Sequence, residues 1–98
     1  MPKVRLLIRG NDGKLELLNF IIPVGELSKI AELLILISWD FTLTVRHYTG
    51  GSVSVSLYEP EGRRGESLRV LADAGYIIDQ TETKDFTPLF NLLRKRDS

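Results

Sequence analysis

The sequence contains no cysteine, and its charges cancel, because thirteen Lys and Arg side chains stand against thirteen Asp and Glu side chains. A chain without cysteine forms neither a disulfide framework nor a thiolate zinc site, and we expect it in the reducing cytoplasm. A chain without net charge lacks the overall positive field that draws many proteins to nucleic acids. Any nucleic-acid ligand would therefore need a local cluster of basic side chains.

Long hydrophobic segments are also missing. The longest apolar-rich stretch, residues 27–39, is interrupted by Ser28, Lys29 and Glu32 and is shorter than the ~20 residues that cross a bilayer. The opening sequence MPKVRLLIRG carries charges within its apolar run and does not resemble a signal peptide. With 43% hydrophobic and 27% charged residues, the composition is that of an ordinary globular domain. We expect one domain over residues 1–98 and no membrane partner.

Alternating apolar and polar residues predict two β-hairpins. In the first, KVRLLIR and LELLNFII flank the turn sequence GNDGK, and Pro23 ends the second strand. In the second, FTLTVRHY and SVSVSLY flank TGG. The alternation turns six apolar side chains of this hairpin to one face: Phe41, Leu43, Val45, Val53, Val55 and Leu57. Because His47 continues this inward register, we expect it at the edge of the core.

Helical periodicity appears in three places. Residues 25–38 carry apolar side chains on one helical face, namely Leu27, Ile30, Ala31 and Leu34. A short helix after the second hairpin has Ser67 as its expected N-cap and Gly75 at its C-terminal end, and the strand YIID follows it. Thr87 before Pro88 is the expected cap of a last helix. That helix has the apolar stripe Phe86, Leu89, Phe90 and Leu93.

These elements predict an α+β fold with the order ββαββαβα. We expect a mainly antiparallel sheet of four to five strands, two helices on one face and a C-terminal helix. Residues 3–38 and 41–75 also resemble each other as two ββα units, with Pro23 aligned to Pro60 in the two segments. An internal duplication and shared turn chemistry both account for this likeness.

Patterns for catalysis and metal binding are weak. The only histidine is His47, and its sequence neighbours are Arg46 and Tyr48. No adjacent carboxylate is present that would help His47 to act as a general base. Residues 79–85 alternate polar ligands as a calcium loop does, but they lack its central glycine and its closing glutamate. We therefore expect no enzyme activity, no metal and no cofactor.

The loop EPEGRRGESL, residues 59–68, places Arg63 and Arg64 between two glycines ahead of a helix. The N–H groups at a helix start and two guanidinium groups favour an anion or an acidic partner. The loop lacks the spacing and the Lys-Ser/Thr ending of a phosphate-binding loop, and Glu66 places a carboxylate where the anion would lie. A plain turn is the alternative interpretation.

The first helix has more apolar residues than one face requires. A turn of 100° per residue sends Leu33 and Leu36 away from the sheet, where either the last helix or a partner would cover them. The leading hypothesis is therefore a non-catalytic protein-interaction or regulatory module, whose partner is another protein or a second copy of the chain. Its expected contact residues are Leu33, Leu36, Arg63, Arg64, Phe90 and Leu93.

The outward face of the predicted sheet supports an alternative hypothesis. If both helices of the ββα units cover one face, the other face exposes basic and aromatic side chains of the kinds that hold a nucleic-acid backbone and stack on bases. An ordinary solvated sheet face has the same pattern. The residues expected to bind nucleic acid there are Arg5, Arg9, Arg46, Tyr48 and Tyr58.

Overall fold

The computed structural model of the chain describes residues 2–11, 13–37 and 42–96. The strands in these ranges are β1 (Lys3–Asn11), β2 (Leu15–Pro23), β3 (Thr42–His47), β4 (Ser52–Pro60), β5 (Ile77–Asp79) and β6 (Lys84–Asp85). The helices are α1 (Leu27–Ile37), α2 (Glu66–Asp73) and α3 (Thr87–Arg96). The predicted α+β class is confirmed, and the two-residue strand β6 is an addition to the predicted order.

The strands form one mixed sheet in the order β3-β4-β2-β1-β5, and β6 also pairs with β1. The neighbours β3, β4, β2 and β1 are antiparallel, whereas β5 and β6 run parallel to β1. The short strands β5 and β6 thus share one edge of the sheet. Strand β3 forms the other edge.

Helices α1 and α2 lie on the same face of the sheet, as predicted. Ile30 and Leu34 of α1 and Leu71 of α2 join the buried strand side chains in one core. Those strand residues are Val4, Leu6, Leu18, Phe20, Ile22, Val53, Val55 and Leu57. Each large side chain buried in this way stabilises the fold by roughly 1.5–3 kcal/mol. The opposite face, which we call the outer face, is left without these two helices.

The second hairpin has the predicted register, but the inward side chains of β3 are less buried than expected. Val45 pairs with Val55 and His47 with Val53, so both β3 residues point to the helix face. Val45 nevertheless remains 42% exposed, and His47 is exposed. The prediction that His47 lies at the edge of the core is wrong, because inward side chains of an edge strand have neighbouring strands on one side only. Phe41, predicted to share this face, lies outside the described residues.

A β-bulge at Leu7 reverses the side of the sheet to which the later side chains of β1 point. Leu6 pairs with Phe20, but Ile8 pairs with Asn19, which leaves Leu7 as an extra residue. Because side chains alternate between faces, one extra residue turns all later side chains over. Ile8 therefore points to the outer face and Arg9 to the helix face. The hydroxyl of Thr83 donates a hydrogen bond to the carbonyl oxygen of Leu6 at this irregularity.

Helix α3 packs on the outer face, against the end of β1. A Cβ atom on Gly10 would overlap the ring of Phe90 and lie 3.3 Å from Cβ of Phe86. Gly10 pairs with Leu17, whose side chain belongs to the outer face. Helices α1 and α3 are thus on opposite sides of the sheet. Of the two alternatives for the far side of α1, cover by α3 within the chain is therefore contradicted.

Two hydrogen bonds connect the start of α3 to β1. The N–H of Phe86 donates to the carbonyl oxygen of Arg9 at 2.9 Å, and the N–H of Asn11 donates to Oγ1 of Thr87 at 3.0 Å. Thr87 is the first residue of the helix and not its cap, because its own N–H is capped by Oδ1 of Asp85 at 2.8 Å. These hydrogen bonds from Thr87 hold the pKa of the Asp85 carboxyl below its usual value.

The C-terminal end of α2 forms as predicted. Gly75 has a φ of 97°, a left-handed conformation that favours glycine. Its N–H donates to the carbonyl oxygen of Ala72 at 3.0 Å, and the N–H of Tyr76 donates to that of Leu71 at 3.1 Å. This pair of bonds is the Schellman motif, which satisfies the last carbonyl groups of the helix.

The two predicted ββα units have closely similar outlines. Their second strands, β2 and β4, are each nine residues long and each end in a proline with a φ of −62°. Each strand is followed directly by a three-residue 3-10 turn, Val24–Glu26 or Glu61–Arg63. The two strands pair with each other, and Asn19 lies opposite Ser56. An internal duplication of the two ββα units stays a prediction.

No helix in the described part of the chain is both long and apolar enough to span a bilayer.

Candidate functional site

A groove crosses the outer face between β3 and the segment that leads into α3. One part of it is lined by side chains from four strands: Ile8, Leu17, Asn19, Thr44, Arg46, Ser54, Ser56 and Tyr58. An adjoining part is lined by Arg5, Leu7, Ile8, Tyr48, Glu82, Lys84 and Phe86. Ile8 belongs to both parts. We call the whole depression the outer groove.

Three polar side chains form a hydrogen-bonded cluster in the first part of the outer groove. The amide nitrogen Nδ2 of Asn19 donates to Oγ of Ser54 and to Oγ of Ser56, in both cases at 2.8 Å. Register explains the cluster, because Asn19 lies opposite Ser56 and Ser54 is two residues further along the same face of β4. We call these residues the Asn19 cluster.

Two half-exposed tyrosines flank the Asn19 cluster. Tyr58 is 39% exposed and Tyr48 is 46% exposed, so each has a ring surface available for contact. Tyr58 lies on β4, and Tyr48 donates its N–H to the carbonyl oxygen of Ser52 at 3.1 Å. Ser52 and Tyr58 are six residues apart in one strand, which corresponds to about 20 Å. The tyrosines therefore mark two separated positions along the outer groove.

The outer groove is more basic than the chain as a whole. Its lining includes Arg5, Arg46 and Lys84 but only one acidic residue, Glu82. Among the described residues, Arg46 makes no side-chain hydrogen bond or ion pair. Beside Arg5, hydrogen bonds from Thr81 lower the pKa of the Asp79 carboxyl, and the positive charges of Lys3 and Arg5 add to this effect. Asp79 is therefore ionised near neutral pH and partly offsets Arg5.

Arg9 does not belong to the outer groove, and the prediction that placed it there is wrong. Its Nε donates to Oε1 of Glu16 at 2.8 Å on the helix face of the sheet. Glu16 is only 3% exposed, so this ion pair neutralises a buried carboxylate. The bulge at Leu7 is the physical cause of the misplacement. The other four residues of the nucleic-acid hypothesis, Arg5, Arg46, Tyr48 and Tyr58, do line the outer groove.

The apolar residues of the protein-interaction hypothesis do not form one surface. Leu33 packs against the core, contrary to the prediction that it points away from the sheet, whereas Leu36 is 77% exposed. Phe90 lies over Gly10, and Leu93 is 46% exposed on α3. Because α1 and α3 are on opposite sides of the sheet, a single partner cannot contact Leu36 and Leu93 across a flat interface.

The two loop arginines connect neighbouring parts of the chain. Nη1 of Arg63 donates to the carbonyl oxygen of Ile37 at 2.9 Å, at the C-terminal end of α1. Nη2 of Arg64 donates to Oδ1 of Asn11 at 2.9 Å and to the carbonyl oxygen of Gly13 at 3.1 Å. Both side chains are solvent-exposed, but they are engaged within the chain and do not extend freely into water. This finding supports a structural role for the loop.

The N-terminus of α2 is occupied by a carboxylate of the chain itself. Glu59 is fully buried, and its two oxygens accept hydrogen bonds from the N–H groups of Gly65 at 2.9 Å and Ser67 at 2.8 Å. The N-cap is Gly65, with a φ of 81°, and not Ser67 as predicted. Ser67 is buried, and its hydroxyl has no hydrogen-bond partner among the described residues. An external anion would have to displace Glu59 from this position.

The carboxylate of Asp79, considered above as part of a calcium loop, is engaged by a neighbouring residue. Oδ1 of Asp79 accepts hydrogen bonds from both the N–H and the hydroxyl of Thr81, at 2.9 and 2.6 Å. The described residues contain no group of three or more His, Cys, Asp and Glu side chains arranged to hold a metal ion. The absence of catalysis and of a cofactor stays a prediction.

Asn19 and Lys84 line the outer groove but were not predicted as site residues from the sequence. The segment LELLNFII is apolar at both alternating sets of positions, so it gives no signal for which side chains face outward. Asn19 is the one polar residue in the middle of this run, and that exception was the available signal. Lys84 had no comparable signal, because its strand has only two residues.

Comparison with models of known protein families, with curated proteins and with solved structures found no match.

Proposed function

We propose that this chain is a non-catalytic binding domain whose outer groove holds a single-stranded nucleic acid. The observation that carries the proposal is the position of Arg5, Arg46, Tyr48 and Tyr58 on one groove. The residues of the protein-interaction hypothesis are divided between the core, internal hydrogen bonds and two opposite faces. We therefore rank the nucleic-acid hypothesis above the protein-interaction hypothesis, the reverse of the order that the sequence favoured.

Local charge supports this choice of ligand. A chain with no net charge needs a cluster of basic side chains to hold phosphates, and Arg5, Arg46 and Lys84 provide one. Arg46 has no ion-pair partner among the described residues, so its guanidinium group is available to a phosphate without breaking an internal bond.

Exposed rings favour a single strand over a duplex. A base stacks on an aromatic side chain only when its face is free, and in a duplex that face is covered by the neighbouring base pair. The partly exposed Tyr48 and Tyr58 lie at backbone positions about 20 Å apart along the strand direction. This spacing fits a short extended segment with one base at each ring.

Fluorescence anisotropy with single-stranded oligonucleotides of about 12 nucleotides tests the proposal. Titrations at about 50 and 200 mM salt should show steeply weaker binding at the higher concentration, because phosphate contacts release counterions. Arg46→Ala should reduce the slope against salt by about one contact, whereas the matched control Arg69→Ala, on the exposed surface of α2, should not. Absence of binding by the folded protein at the lower salt contradicts the proposal.

The tyrosines allow a second, independent test. Tyr58→Ala should weaken binding by about 1–3 kcal/mol, the usual contribution of one stacked base, while Tyr58→Phe retains the ring and should keep most of the affinity. Equal losses for both variants would show that the hydroxyl, and not the ring, makes the contact. That result would contradict the stacking part of the proposal.

A second candidate function is self-association through α3, which retains the protein-interaction hypothesis in a narrower form. Leu89, Leu92 and Leu93 are 45%, 56% and 46% exposed and share one side of this helix. A two-fold contact between copies would bury both sets. Light scattering should then show a dimer that Leu92→Glu with Leu93→Glu converts to a folded monomer. Leu36→Glu, on the opposite side of the sheet, is the control that should leave the dimer intact.

A further inference from the structure

The Asn19 cluster lines the outer groove, so its polar side chains are available to a ligand bound there. It shares the first part of the outer groove with the apolar side chains of Ile8 and Leu17 and with Tyr58. Apolar walls next to a few polar atoms are the usual composition of a site that selects one ligand among similar ones. A base stacked on Tyr58 would place its edge near these atoms.

The hydrogen bonds within the cluster determine what remains for a ligand. An asparagine side chain has two amide hydrogens and one carbonyl oxygen, and both hydrogens of Asn19 are used by Ser54 and Ser56. The carboxamide therefore presents only its acceptor, Oδ1. Each serine hydroxyl accepts from Asn19 and keeps its own hydrogen to donate. The cluster thus offers one acceptor and two donors.

We infer that the Asn19 cluster reads the edge of one pyrimidine base in a bound single strand, an inference that rests on the proposed function. The Watson–Crick edges of cytosine and of thymine or uracil each present one donor and two acceptors, which complement one acceptor and two donors. Guanine presents two donors and one acceptor on this edge, and adenine presents one of each. Unpaired bases are recognised on these edges in single strands.

The consequence is a preference among oligonucleotides that have the same backbone. A matched set of hydrogen bonds to a base edge discriminates by about tenfold or more, because an unmatched edge leaves polar groups without partners. Anisotropy titrations with single-stranded dT, dC and dA oligonucleotides of one length should therefore show tighter binding of both pyrimidine strands. Replacing one central pyrimidine by guanine should weaken binding.

Two variants locate the preference. Asn19→Ala removes the acceptor and the residue that orients both serines, so the ratio of affinities for dT and dA should fall to about one while affinity for dA is retained. Ser54→Ala with Ser56→Ala removes both hydroxyl donors and leaves the Asn19 amide without the partners that hold it in place, so it should also lower the ratio. Thermal unfolding of each variant confirms that the compared proteins are folded.

The outcomes separate the two proposals. If the folded wild-type protein binds none of the oligonucleotides, the proposed function is overturned. If it binds all of them equally, or prefers purines, the proposed function stands and the pyrimidine inference is overturned. A pyrimidine preference that persists in both variants also overturns the inference, because it assigns the selection to residues outside the Asn19 cluster.

Discussion

The ring of Phe90 lies directly over the backbone of Gly10, so closely that a Cβ atom on Gly10 would overlap Cε2 of that ring and lie 3.0 Å from Cδ2. Gly10 is buried, and the contact is made on the outer face of the sheet. A glycine in a strand allows this kind of close approach. The seating of α3 therefore depends on the absence of a side chain in β1.

Gly10→Ala should lower the free energy of unfolding by about 1–3 kcal/mol, because the added methyl group forces the Phe90 ring out of its position. Urea denaturation followed by circular dichroism measures the change. Gly25→Ala is the matched control, since no atom lies within 4 Å of a Cβ at that position. Equal stability of the Gly10→Ala variant and the wild type would contradict the described packing of α3.

Arg9→Ala should destabilise the fold and leave nucleic-acid binding unchanged. The substitution removes the partner of Glu16, whose carboxylate is only 3% exposed, and an unpaired buried charge costs about 1–3 kcal/mol or more. Chemical denaturation measures the stability, and the anisotropy titration measures the affinity. A loss of oligonucleotide affinity as large as that of Arg46→Ala would show that Arg9 faces the outer groove, contrary to the register described for β1.

Glu59→Ala should destabilise the start of α2 by about 1–3 kcal/mol, because it leaves the N–H groups of Gly65 and Ser67 without an acceptor in a buried site. Glu59→Gln retains one of the two acceptor oxygens and should cost less. Glu61→Ala, at an exposed position two residues away, is the control. Denaturation midpoints that rank these variants in another order would argue against the capping role of Glu59.

We expect the free energy of unfolding to fall in alkaline solution, because the hydroxyl of Tyr76 has a raised pKa. Burial, and then its hydrogen bond and proximity to Glu26, raise the pKa of the Tyr76 hydroxyl to about 12 from the usual 10.0. The folded state therefore holds this proton more tightly than the unfolded state. Its stabilising contribution is complete below pH 10 and is lost as the pH rises towards about 12.

Tyr76→Phe isolates this effect, because phenylalanine has no proton to lose. At neutral pH the variant lacks the bond to Oε2 of Glu26, at 2.8 Å, and should be less stable by about 0.5–1.5 kcal/mol. The difference from wild type should shrink as the pH rises through the window from 10 to about 12. Denaturation at a series of pH values measures it, and a constant difference would contradict the raised pKa.

Alternation in the sequence was sufficient to predict both hairpins and the core face of β4, because Val53, Val55 and Leu57 repeat at every second position. The helical period in the same way predicted that Ile30 and Leu34 of α1 would be buried. Local patterns of this kind report which face of an element is apolar. They do not report which surface that face will meet, and α3 illustrates the limit: its stripe was correctly recognised as apolar, but its docking on the outer face depends on Gly10.

The errors in the predicted site have similar causes. Three consecutive apolar residues, Leu6, Leu7 and Ile8, carry no sign of a bulge, so Arg9 was assigned to the wrong face. Glu59 was read as part of a loop, because its role as a cap depends on two N–H groups that come close only after β4 and α2 have packed. Leu33 was assigned to the far side of α1 from an ideal helical step, although a half-buried position at the margin of the core also accommodates it.

The extra residue at Leu7 divides β1 into two segments that differ in which positions, odd-numbered or even-numbered, point to the outer face. Before it, odd-numbered positions such as Arg5 lie on the outer face of the sheet, and after it the even-numbered Ile8 and Gly10 do so. The side chains presented to a ligand, and the glycine position that admits Phe90, are thus set by the bulge as well as by the residues that β1 contains. If β1 paired without the bulge, Leu7 would lie opposite Asn19 and Arg9 opposite Leu17, and the Arg9 side chain would lie under α3. Deletion of Leu7 would by contrast leave Ile8, Arg9 and Gly10 on their present faces, because Ile8 would then follow Leu6 in a regular strand.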